Sequence, residues 1–565
     1  MRIRRILTLC LVVGLLIPII QARQPDAVGR RGMVVSGNLI ASRMGRDILR
    51  RGGNAIDAAV ATGFALAVTL PRSGNIGGGG FMVIRFRDGR TTTIDYRERA
   101  PTAASRDMYL DEQGNVIKDL SITGILASGV PGSVRGLGLA HAKYGRLSWE
   151  DVVTPAVELA ENGIAVGYQL HRDLVDQEEN LTRFDETRRI FYPNGRPLRL
   201  NALFQQPELA ATLRRIAVQG PAEFYTGETA RLLAAHMRRR GGLITRQDLA
   251  KYEAVERPPV EFDYRGTHII SMGPPSSGGI VLAQILNQLE LVDLSRMEFH
   301  SAEHIHAMVE AERRAYADRA RYLGDADFVN VPVENLISKT YAARRWRDVS
   351  PNWATASEDV SHGDVKLLLE SEETTHYSVV DRWGNAAAVT TTLNDFYGSG
   401  EVVRGAGFFL NNEMDDFSIK PGYPNIYGLV GGQANAIEPG KRMLSSMTPT
   451  IVTRNDTLLM VLGSPGGGKI ITTVAQIISN VVDLRLGLKA AVEAPRVHHQ
   501  WKPDEILAEP RGISPETRKR LVRMGHKVRY REDTIGAAHC IYVDPVTGWY
   551  FGAVDSRRES GAAGY

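Results

Sequence analysis

The stretch from Ala55 to Val68 limits the possible folds more than any other part of the chain. Apart from Asp57, Thr62 and Gly63 it is wholly apolar and rich in alanine, which predicts a helix. A helix that is hydrophobic all round has no face to offer water and belongs inside, covered on every side. It follows a short apolar stretch, Gly32 to Ser36, a helical pattern from Ala41 to Leu49, and the break Gly52-Gly53-Asn54. Beyond it, Gly77-Gly78-Gly79-Gly80 leads into a strand from Phe81 to Arg85. Four glycines there either let another backbone approach closely or make a flexible turn.

From about Ser148 to Leu323 the pattern is mainly helical. Residues 346–373 are polar, charged and without apolar periodicity, which predicts an exposed, poorly ordered connection ending at Thr374. The period then changes to two. Thr375 to Asp381 alternates, Arg382-Trp383-Gly384-Asn385 makes a turn, and Ala386 to Leu393 reads as the paired strand. Further strands are expected at Gly405–Leu410, Thr450–Thr453, Leu458–Leu462 and Gly536–Val543, with helices at Ile470–Leu484 and Pro515–Met524. Strands mixed with long helices in both halves imply sheets covered by helices, a layered α/β architecture.

The N-terminus has a basic start, Met1 to Arg5, and an apolar run from Ile6 to Ile20. The run is short for a membrane span and suits a secretory signal cut after Ala22, an uncleaved anchor being the alternative. Export to the periplasm or outside is therefore expected. Without Arg2, Arg4 and Arg5 the formal charge falls from +4 to about +1, which excludes the dense basic stripe of a nucleic-acid partner. After cleavage only Cys540 remains, so no intramolecular disulfide can form.

Thr374 carries the chemistry. Cutting the bond between Glu373 and Thr374 would give this residue a free α-amine beside its own Oγ. Such an amine, with a pKa of about 7.7–8.0, is partly neutral near pH 7 and can serve as the base for its own hydroxyl. Gly463-Ser464-Pro465-Gly466-Gly467-Gly468-Lys469-Ile470 nearly matches a phosphate loop, but Ile470 lacks the hydroxyl that would hold magnesium. What remains is a glycine turn whose N–H groups can receive an oxyanion. His300, His304 and His306 lack the company of a metal motif and read as an ordinary helix face, and G-x-S-x-G is absent. Asn411 to Asp416 puts carboxylates just after a predicted strand, suited to an ammonium group, and Ser445-Ser446 offers hydroxyl donors for a carboxylate. Each alone also reads as a turn.

In order along the chain, these pieces resemble the γ-glutamyltransferase family of N-terminal-nucleophile hydrolases. The resemblance rests on Gly52 to Ala59, Gly74 to Phe81, Tyr96 to Pro101, the Thr374 segment, Leu410 to Phe417, Leu444 to Met447 and Gly463 to Gly467. It implies a four-layer αββα sandwich built from two autoprocessed fragments, 23–373 and 374–565, after a signal peptide at 1–22. Thr374 would be the nucleophile of self-cleavage and of turnover, with Thr392 positioning its amine and Gly466 and Gly467 forming the oxyanion hole. Arg97, Ser445 and Ser446 would hold the α-carboxylate of a γ-glutamyl substrate such as glutathione. Asn394, Glu413 and Asp416 would hold its α-ammonium, and Tyr427 would lie on a covering loop. An amino acid, a peptide or water would accept the acyl group, the two fragments would stay together as a heterodimer, and no cofactor enters the scheme. Two alternatives stand beside it: a glutaryl or cephalosporin acylase of the same superfamily, and an inactive binding relative.

Overall fold

The computed structural model describes residues 24–361 and 374–565, apart from positions 421, 511, 532 and 533. The expected signal segment and Glu373 lie outside the described residues. Two seven-stranded sheets make the centre. One runs, edge to edge, Gly561–Gly564, Gly32–Ser36, Thr375–Asp381, Ala386–Thr392, Gly79–Arg85, Thr91–Asp95 and Val255–Arg257. The other runs Ala27–Gly29, Tyr550–Val554, His539–Val543, Thr457–Leu462, Thr450–Arg454, Thr267–Ser271 and Val260–Tyr264.

The alternation of the strands divides the core. Met33, Val35, Phe81, Val83 and Val380 of the first sheet meet Ile270, Ile451, Val461 and Ile541 of the second. Their neighbours in sequence, Val34, Met82, Ile84 and Val379, point the other way, onto the helix Ala55–Thr69. All fifteen residues of that helix are buried, as its composition requires. Asn54 and Asp57 close its first turn with a reciprocal capping box. On the far face of the second sheet, Val452, Met460, Leu462 and Cys540 pack with the helices Gly278–Leu289, Ala302–Tyr322 and Lys469–Val482. The result is a four-layer αββα sandwich. Among the described residues no helix is long and apolar enough to cross a membrane.

Several local expectations are corrected. Residues 405–410 form no strand: Gly405 and Gly407 take φ of 75° and 76°, so the chain reverses and only a Val402–Phe409 bridge remains. The largely helical stretch before Leu323 also contains the hairpin Val260–Tyr264/Thr267–Ser271. The described part of the 346–373 connection is anchored to the body. The Thr355 N–H donates to Glu310 (3.0 Å), the Ser357 N–H to Asp504 (3.0 Å), and Trp501 Nε1 to the Ser357 carbonyl (2.8 Å).

Candidate active site

Thr374 and Thr392 face each other at the open end of a hairpin. Thr375 pairs with Thr391, which sets Thr374 against Thr392, and their hydroxyl oxygens lie 3.4 Å apart. Both residues are buried. Thr392 Oγ1 accepts the Asn394 backbone N–H at 2.8 Å. Asn394 sits in the left-handed region with φ 79°, a conformation its short amide side chain tolerates, and that amide donates to the Asn412 carbonyl at 3.1 Å. The glycine run works by close approach: a Cβ on Gly78 would lie 2.1 Å from the Thr392 carbonyl oxygen. Asn75 Nδ2 donates to that same carbonyl at 2.9 Å.

The turn before the helix Lys469–Val482 lies across the pocket. Gly466 and Gly467 take φ of 134° and 52°, and neither N–H donates to a protein acceptor among the described residues. A Cβ on Gly467 would stand 2.6 Å from the Tyr427 ring, so this ring lies directly on the turn. The Tyr427 hydroxyl donates to the Asn394 carbonyl, tying the covering loop to the threonine end of the hairpin. Lys469, which a phosphate loop would present to its ligand, is buried.

Arg97 follows the strand Thr91–Asp95, and the Asp95 side chain accepts its backbone N–H at 2.9 Å. Its guanidinium is fully buried and donates to the Met443 and Leu444 carbonyls, each at 3.2 Å. It also pairs with Glu413 and Asp416, and Glu98 lies 3.5 Å away. Glu413 and Asp416 come from a short 3₁₀ turn, Glu413–Asp416, rather than from a strand end. Burial pushes Glu413 well above the usual carboxylate range and raises Asp416, while Arg97 pulls both down. Burial likewise pushes Glu98 up to about 7 against the pull of Arg97. Burial opposes the charge on Arg97, but the three carboxylates together hold it above the ordinary arginine value.

Ser445 and Ser446 close the remaining wall. Ser445 Oγ accepts the Met447 N–H at 3.1 Å, and Ser446 Oγ accepts from Arg319 Nη2 at 3.0 Å. One small pocket is lined by Arg97, Thr374, Thr392, Asn394, Glu413, Asp416, Tyr427, Ser445, Ser446 and Gly467, and also by Leu429, Met447 and Ile470. Every described residue expected from the sequence thus lines one pocket except Gly466, which sits next to it in the glycine turn. Sequence reasoning missed Glu98, Asn75 and Arg319. A helical arginine reads as solvent-facing, and only the packing reveals its burial.

The histidines read as a helix face are buried instead. His306 Nδ1 meets His526 Nε2 at 2.8 Å, and His306 Nε2 meets the Ser350 carbonyl at 2.8 Å. Glu310 lies close to both rings, but its carboxylate is already held by Arg314 (2.6 Å) and the Thr355 hydroxyl (2.7 Å).

Comparison with known proteins agrees with this geometry. The family model described as Gamma-glutamyltranspeptidase matches residues 41–565. The glutathione hydrolase proenzyme of Escherichia coli (strain K12) is 50% identical over 538 residues, covering 95% of this chain and 92% of that one. The glutathione hydrolase proenzyme of Pseudomonas sp. (strain A14) is 45% identical over 554 residues, covering 96% and 95%. The crystal structure of cephalosporin acylase from Bacillus halodurans superposes with a TM-score of 0.83 at 27% identity, covering 96% of this chain and 97% of that one.

Proposed function

This chain belongs to the gamma-glutamyltranspeptidase family, and we propose that it cuts itself before Thr374 and then transfers the γ-glutamyl group of glutathione and related amides to water or to an amino acid or peptide acceptor. One observation carries the reading: the Thr374 hydroxyl shares its pocket with one guanidinium and two carboxylates, a set matched to the two charges of a γ-glutamyl group.

In the precursor, Thr374 Oγ attacks the Glu373 carbonyl and the acyl group shifts from nitrogen to oxygen. Water cleaves that ester, leaving fragments 23–373 and 374–565 and a free amine on Thr374. This amine takes the proton from Oγ as Oγ attacks the γ-amide carbonyl of the substrate. The Gly466 and Gly467 N–H groups receive the oxyanion, and Thr392 positions the amine. The tetrahedral intermediate collapses, and the same amine returns the proton to the leaving nitrogen, which for glutathione departs as cysteinylglycine. Water or an acceptor amine then attacks the γ-glutamyl ester and restores Thr374. Arg97, Ser445 and Ser446 hold the α-carboxylate, Asn394, Glu413 and Asp416 hold the α-ammonium, and Tyr427 covers the bound group. The two fragments remain a heterodimer, exported by means of the segment 1–22 to the periplasm or beyond.

A glutaryl acylase is the second reading, favoured by the fold shared with a cephalosporin acylase. Glutaryl compounds have no ammonium group for Glu413 and Asp416 to hold, which weighs against it. The test is purified protein assayed with glutathione, with and without a dipeptide acceptor, together with N-terminal sequencing of the smaller fragment. Glutamate release, γ-glutamyl-peptide formation and a fragment beginning at Thr374 are expected, and Thr374→Ala should remain one inactive chain. A fragment starting elsewhere, or no turnover of glutathione by cleaved protein, would overturn the proposal.

A further inference from the structure

Arg319 projects from the helix Ala302–Tyr322, a part of the chain that contributes no side chain to the lining of the pocket. It is buried, with 5% of its surface exposed, and forms no ion pair with a carboxylate among the described residues. Its Nε donates to Ser277 Oγ at 2.9 Å and its Nη2 to Ser446 Oγ at 3.0 Å. Burial pulls the guanidinium below the ordinary arginine value; the Asp416 carboxylate acts on it from beyond ion-pair distance and offsets part of that cost, and a further anion in the pocket would offset more. Arg97 is already engaged by Glu413 and Asp416, whereas Arg319 reaches the pocket lining through its hydrogen bond to Ser446 Oγ.

The hydrogen-bond polarity points the same way. A guanidinium can only donate, so Ser446 Oγ must accept from Arg319 and its own proton is left for the pocket. The Met447 N–H fixes Ser445 Oγ as an acceptor in the same manner. Ser277 accepts from Arg319 and donates to the Ser445 carbonyl at 2.6 Å, which locks the serine pair to the helix. Both hydroxyls therefore present O–H donors to whatever fills the cavity.

We propose that Arg319 is a positioning residue for carboxylate recognition: a second buried cation that aims the Ser446 proton into the pocket and supplies positive charge behind it. This rests on the γ-glutamyl reading of the site, because the anion is taken to be the substrate's α-carboxylate. The test compares a γ-glutamyl anilide with the same anilide whose α-carboxylate is a primary amide, in wild type, Arg319→Gln and Arg319→Lys. Wild type should prefer the acid. Arg319→Gln should still split, and its KM for the acid should rise about 10- to 100-fold, the range for one charge-assisted contact. Its kcat should change little, and turnover of the amide should be unaffected. Arg319→Lys keeps the charge but cannot grip both hydroxyls, so its acid-to-amide ratio should fall less. Equal losses on both substrates, or a fall in kcat with KM unmoved, would show a purely structural role and overturn the inference. If Arg319→Gln does not fold, an unchanged acid-to-amide ratio in Arg319→Lys would overturn it as well. Failure of the underlying reading looks different, because wild type itself would then show no preference for the acid.

Discussion

Replacing Arg97 by alanine should damage stability in a pH-dependent way as well as substrate binding. Arg97 is fully buried and is the shared cation for Glu413, Asp416 and Glu98. Removing it leaves three carboxyl groups in a low-dielectric pocket. Their folded-state pKa values, already raised by burial and with Glu98 at about 7, must rise further once the guanidinium is gone. A carboxyl whose folded pKa lies above its unfolded value binds more protons when folded, so stability falls as pH climbs from the unfolded value through the folded one. Below about pH 5 the groups can be neutral in the folded variant, and the loss is mainly that of hydrogen bonds, about 1–2 kcal/mol. At pH 8 the variant must ionise buried groups without a partner or hold protons against solvent, which costs about 3–5 kcal/mol. Denaturant titration of wild type and Arg97→Ala at pH 5 and pH 8 measures the difference. Catalysis reports the other role: kcat/KM for a γ-glutamyl anilide should fall by about two orders of magnitude or more, while the precursor still splits under mildly acidic conditions. A stability loss equal at the two pH values, or larger at pH 5, would refute the account of Arg97 as the neutraliser of these carboxylates.

Asp416→Asn keeps the side-chain shape but removes one of the two charges proposed to hold the α-ammonium; γ-glutamyl turnover should drop strongly while a matched glutaryl substrate is unchanged or improved, and equal losses would return weight to the acylase reading. Gly467→Ala forces a side chain into a φ of 52° with its Cβ 2.6 Å from the Tyr427 ring, displacing the N–H proposed as an oxyanion donor. Its kcat should fall about 10²–10³-fold with a smaller change in KM, and a normal kcat would remove Gly467 from the oxyanion hole. After cleavage the two fragments should co-elute until denaturant unfolds both together. The reason is that Thr375–Asp381 lies between Gly32–Ser36 and Ala386–Thr392, and Ala386–Thr392 pairs in turn with Gly79–Arg85. Recovery of a folded single fragment in moderate salt would contradict that.

The sequence carried most of the architecture wherever a pattern had one physical cause. The Ala55–Thr69 helix followed from an apolar surface on all sides, and the Thr374 hairpin from strict alternation around a Gly384 turn with φ 86°. It misled where apolar content and backbone geometry part company. Phe408, Phe409 and Leu410 look like strand residues, yet two left-handed glycines bend the chain there. Polar composition also hid order in residues 347–361, where the anchoring is by hydrogen bonds to Glu310, Asp504 and Trp501 and by the single buried apolar side chain of Val360 rather than by a periodic apolar face. The motifs named the residues of the pocket, but pairing in space is not written in spacing. Nothing local shows that Arg97 is paired with Glu413 and Asp416, or that Arg319 stands behind Ser446.

That internal pairing bears on which substrates the pocket accepts. Arg97 is held by Glu413 and Asp416, so an incoming carboxylate must compete with two buried acids for one guanidinium. A lone anion such as a glutaryl group would take Arg97 from both acids in a desolvated site, leaving Asp416 only the longer-range pull of Arg319, a costly exchange. On the proposed reading a zwitterion would replace both halves at once: its carboxylate would go to Arg97 and the serine hydroxyls, and its ammonium to Glu413 and Asp416. The number of charge pairs would then be conserved through binding. On the proposed reading, discrimination in favour of γ-glutamyl groups would come from the penalty on ligands that supply only one of the two charges, as much as from the contacts made with ligands that supply both.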